Sequence, residues 1–89
     1  LIDMPAVADE ASKAAASLAA MLAADPERYY GSPYQLAWDH RLGKAKRLEA
    51  LRRWLEHEGD AYRRDRRPVH LNRIRDLHNA IHIVEIHAV

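Results

Sequence analysis

Three residues near the C-terminus carry a metal-ligand spacing. His78, His82 and Glu85, within HNAIHIVEIH, stand at i, i+4 and i+7. On a helix their side chains share one face. Two imidazoles one turn apart can chelate Zn²⁺, Ni²⁺ or Cu²⁺, with the carboxylate as a third ligand. The catalytic HExxH pattern is absent, because Asn79 follows His78 where that motif places its activating glutamate. A chain with six histidines also produces such pairs as plain polar surface. In a symmetric dimer the same ridge would meet its copy and supply four ligands.

The second group is cationic. Arg63, Arg64, Arg66 and Arg67 have only Asp65 among them and run up to Pro68. Together with Tyr29 and Tyr30 they are the candidate residues for gripping phosphate and stacking on bases, or for anchoring a protein partner. The plainer reading of the arginines is a solvated turn. That of the cluster Tyr29, Tyr30, Tyr34 and Trp38 is a plug closing one end of a helical hairpin.

No nucleophile constellation can be assembled. The only serines are Ser12, Ser17 and Ser32, there is no threonine or cysteine, and three well-separated glycines make no phosphate loop. The chain is therefore expected not to be an enzyme and to need no cofactor. Lack of cysteine excludes disulfides and thiolate metal sites and fits a reducing, cytoplasmic setting. The longest nearly apolar run, residues 14–24, is 11 residues, too short to span a bilayer. Asp3, Asp9 and Glu10 precede it where a signal peptide would be cationic, so neither a membrane anchor nor a leader is expected.

The elements that would position these residues all read as helical. Asp3 caps a first helix expected over residues 5–24, with Val7, Ala11, Ala14, Leu18 and Met21 at heptad spacing, and Asp25-Pro26 stops it. Residues 25–31 form a connector. Ser32, Pro33 and Gln35 then write a capping box, starting a long helix expected over residues 32–64. Its apolar stripe runs Tyr34, Trp38, Leu42, Ala45, Leu48, Leu51 and Leu55 to Tyr62, with Leu36 and Trp54 to the sides. Gly43 would sit inside this helix against an alanine seam. Gly59 marks a candidate break over residues 58–60. A third helix is expected over residues 69–87, through Leu71, Ile74, Leu77, Ile81 and Val84. The β-branched residues Ile81, Ile83, Val84, Ile86 and Val89 give a competing strand signal.

The expected fold is a single all-α domain over residues 1–89: a helical hairpin plus a third helix, completed by dimerisation. Sixteen of the 89 residues are alanine, so large apolar side chains are scarce and a second copy would add needed buried area. Residues 1–31 carry five acids and two bases, and residues 32–89 carry eight acids and twelve bases. An acidic arm is joined to a basic body. The expected function is that of a small interaction or assembly module, an adaptor or regulator acting through helical packing with itself and another protein. Nucleic-acid binding by the arginines and metal binding by the histidines are the alternatives.

Overall fold

The computed structural model describes residues 13, 17, 18, 20–22 and 24–87. All the described elements are helices: α1 (Pro26–Tyr29), α2 (Pro33–Ala37), α3 (Lys44–Asp65) and α4 (Pro68–Ile86). The helix expected over 5–24 lies largely outside the described residues, although those described within it are helical. The all-α expectation holds. No strand occurs among the described residues, and none of their helices is long and apolar enough to cross a membrane.

α2 begins where the capping box places it. The Gln35 N–H donates to Ser32 Oγ at 3.4 Å, and Gln35 Oε1 accepts from the Gly31 N–H at 2.9 Å, one residue earlier than in the usual reciprocal pair. The long helix expected over 32–64 is not continuous. It stops at Trp38 because Asp39 offers the backbone a competing partner. Its carboxylate accepts from the Arg41 N–H at 3.0 Å and clasps the Arg41 guanidinium at 2.6–3.1 Å, while the Leu42 N–H donates to Asp39 O at 3.2 Å. Gly43 is therefore not inside a helix. It is the extended residue capping α3, and nothing lies within 4 Å of where a Cβ would stand. The break expected at 58–60 is absent, since α3 runs unbroken through Gly59 to Asp65.

That early stop resets the helical phase, so the buried face differs from the expected stripe. Leu36 and Trp54 are fully buried, whereas Trp38 is 48% exposed and Ala45 faces solvent. The inner face of α3 is Arg47, Ala50, Leu51, Trp54 and Glu58, an apolar stripe with a charge at each end. α3 ends at Arg66, in the left-handed region with φ 57°, whose N–H donates to Tyr62 O.

Pro68 starts α4, which returns antiparallel to α3. Glu58 meets His70 at one end of the pair, and at the other Lys44 Nζ donates to the Glu85 carbonyl at 3.3 Å. Leu77, Ala80 and Val84 are its core residues. The β-branched tail stays helical to Ile86, because Ile81, Ile83 and Val84 pack on the core and tertiary contacts outweigh strand propensity. α4 also meets α2: the Tyr34 hydroxyl donates to Asp76 Oδ1 at 3.2 Å and accepts from Asn79 Nδ2 at 3.3 Å. The core is completed by Leu22, Tyr30, Leu36, Ala37 and Leu42.

Candidate functional site

The α3–α4 corner gathers a set of ionisable groups from both helices. α3 delivers Glu58, 7% exposed, and ends on Asp65; the first turn of α4 places His70 between them. His70 Nδ1 is 2.7 Å from Glu58 Oε2, a hydrogen bond, and Nε2 is 2.8 Å from Asp65 Oδ1, within ion-pair range but off the line a hydrogen bond needs. A cation at a helix N-terminus opposes the helix dipole, and the two carboxylates supply the compensation. Glu58's hydrogen bond first, and the contact with Asp65 second, hold the imidazole's pKa above its ordinary value. The same contact with His70 lowers that of Asp65. With a carboxylate at each nitrogen, His70 is a clasp joining the two helices.

Beside it opens a cleft of about 500 Å³, lined by Glu27 from α1, by His57, Glu58, Asp60, Ala61 and Arg64 from α3, and by His70. Its walls carry both signs of charge. A smaller cleft of about 110 Å³ lies where Trp38 and His40 face Ile83, Val84 and His87, with Arg47 in its wall. Trp38 and His87 form its rim, their ring centroids 5.0 Å apart and tilted by 60°. Arg47 is 3% exposed, and its Nη1 donates to the Ala37 carbonyl at 2.8 Å, satisfying an acceptor at the C-terminus of α2. No serine lines either cleft.

The arginine run is distributed around the corner. Arg63 pairs with Asp60, Arg67 Nε stands 3.8 Å from Asp65, Arg66 packs over the Tyr62 ring at 5.4 Å, and Arg64 lines the larger cleft with Glu27. All four are exposed. Tyr29 is 42% exposed, but Tyr30 is 6% exposed, so its ring cannot serve as the stacking surface expected of it. The Tyr30 hydroxyl donates to Asp39 Oδ2 at 2.7 Å. Burial first, then this bond to a carboxylate, pushes the phenol pKa up, while the Arg41 guanidinium holds the Asp39 carboxyl well below its usual range.

His78, His82 and Glu85 are all exposed on α4. No group of three or more His, Asp or Glu side chains among the described residues is arranged to hold a metal ion. The buried Arg47 and the Glu58–His70–Asp65 clasp were not legible as functional residues. Their partners lie 5 to 12 positions away along the chain and meet only because α4 turns back on α3 and α2 docks against it.

No protein-family model matches the chain, and no curated protein and no solved structure is detectably similar to it.

Proposed function

We propose that the chain is a small non-enzymatic assembly module, an adaptor or regulator whose output is helical packing with a second copy and with another protein. The observation that carries this reading is the apolar surface left outside the core. Leu18 is 37% exposed, Met21 51% and Val69 54%, in a chain whose described core holds only eleven hydrophobic residues. Leu18 and Met21 stand one turn apart beside Leu22, which is buried. That arrangement anchors one side of the segment and leaves another side available. Burying side chains of this size contributes roughly 1.5–3 kcal/mol each, a large gain for a small domain.

Light scattering after size exclusion, in EDTA and over a micromolar concentration series, tests it. The expected mass exceeds that of the 10.2 kDa chain, and replacing Leu18 and Met21 with Gln lowers it while leaving the helical signal intact. A single-chain mass throughout, with a cooperative melt, would be incompatible with assembly.

A second reading, nucleic-acid binding, draws support from the exposure of all four arginines at one corner. Its measure is retention on DNA or RNA that falls steeply with salt, by roughly one unit of log–log slope per phosphate neutralised. Unchanged retention after Arg63, Arg64, Arg66 and Arg67 are all replaced by Gln would eliminate this reading.

A further inference from the structure

We propose that the outer ridge of α4 is half of a metal site, in which His78 and His82 bind a divalent transition-metal ion and a second copy of this chain, antiparallel on the same ridge, supplies the other two imidazoles. The inference goes beyond the assembly reading: it adds a metal-dependent contact with a further copy, on a face other than that of Leu18 and Met21, and names the ion class.

The argument begins with which side of α4 is spent. Leu77, Ala80 and Val84 are at most 2% exposed and face α3. Stepping about 100° per residue, Leu71, Arg75, His78 and His82 fall within about 60° of one another on the opposite side. All four are exposed, and Ile86, 61% exposed, adjoins them. Residues at i and i+4 have Cβ atoms roughly 5–6 Å apart, within reach of one ion. Neither imidazole has a hydrogen-bond or ion-pair partner among the described residues. No internal partner has to be displaced before they coordinate.

A single chain offers two imidazoles here and no third ligand, whereas zinc in closed sites takes four. The missing pair is supplied by symmetry. A two-fold axis midway between His78 and His82 sets His78 opposite His82 of the second copy. Three positions further out on each side, it sets Arg75 opposite Glu85 of the second copy. Arg75 has a side chain 68% exposed and only a 3.6 Å contact with Asp76, and Glu85 is exposed. The ridge is therefore self-complementary in charge when antiparallel, and the exposed Leu71 and Ile86 add apolar contact beyond the charged pairs. In a parallel dimer, whose two-fold axis would run along the helices, Arg75 would face Arg75 and Glu85 would face Glu85. The antiparallel register is the one that removes this repulsion.

The test uses the full chain near pH 7.5, with Zn²⁺ or Ni²⁺ as the probe. The mass by light scattering is expected to double relative to its value in EDTA, with half an ion bound per chain by titration calorimetry. His78→Ala with His82→Ala keeps the EDTA mass and the helical signal and loses the doubling. Arg75→Glu alone weakens the metal-dependent doubling, and adding Glu85→Arg restores it, which a role confined to folding would not produce. Metal that leaves the mass unchanged, one ion per chain at constant mass, or doubling that survives loss of both histidines overturns the proposal. The EDTA arm separates this result from failure of assembly itself: self-association without metal that metal does not alter removes the bridge and leaves the assembly reading standing.

Discussion

His70 has a carboxylate against each ring nitrogen, and its protonated form is what the fold favours. Because its pKa is raised on folding, the clasp's contribution is fully present below the unfolded value of about 6.5 and is lost as pH rises through the higher folded value. Asp65 has the opposite sign: its contribution is present above the unfolded value near 3.9 and is lost as pH falls through a lower folded one. Urea midpoints measured from pH 5 to 9 should decline on the alkaline side in the wild type. The His70→Gln protein should lack that decline, and a parallel decline in both would assign it to other groups. Arg47 acts differently, by carrying a donor into the core for the last carbonyl of α2. Arg47→Met keeps an unbranched stem but leaves that acceptor without this bond, so stability should fall by about 1–3 kcal/mol. A urea midpoint that stays level or rises would mean that packing alone holds α2 in place.

At the scale of elements, α3 carries two local costs that single substitutions should relieve. Gly59 lies inside the helix, and only the far end of the Arg63 side chain comes within 4.0 Å of a Cβ placed there. Gly59→Ala should stabilise by about 0.5–1 kcal/mol, by removing backbone freedom from the unfolded chain. Arg66 ends the helix with φ 57°, a conformation that costs an L-residue roughly 1–2 kcal/mol and that glycine adopts freely. Arg66→Gly should therefore raise the melting temperature although it gives up the contact with Tyr62. Each kcal/mol corresponds to roughly 4–8 °C in a domain of this size, well within the resolution of a thermal melt. Failure of Gly59→Ala to raise it would point to a real distortion of α3 at that turn.

For the molecule as a whole, the acidic arm and the basic corner invite a direct test of how the chain assembles. Glu27 of α1 and Arg64 of α3 line one cleft, which brings the two charge classes together. Of the other four acids of the arm, Asp25 is exposed just before α1, and Asp3, Asp9 and Glu10 lie outside the described residues. If the corner is a docking surface, Arg64→Glu with Arg67→Glu weakens the oligomer and leaves helicity unchanged, because both side chains are exposed and tie down no core. An oligomer of unaltered dissociation constant that no longer retains nucleic acid would instead assign the corner to phosphate.

The helical class, the Ser32 cap, the start of α4 to within one residue and the exposed His78–His82 ridge all follow from the sequence, because each depends on residues within a turn or two of one another. The stop at Asp39 depends on equally local contacts. It was obscured because Tyr34, Trp38 and Leu42 continue a plausible apolar period straight across it. Once the phase resets, the buried face of α3 passes through Arg47 and Glu58, which no hydrophobic pattern would include. Their burial is acceptable because the fold supplies partners for them, the Ala37 carbonyl and His70 among these, on other elements. Those partners are brought together by the antiparallel return of α4 and the docking of α2. The tertiary structure alone therefore decided which charges belong to the interior, since a buried charge is tolerated only where the fold delivers its partner.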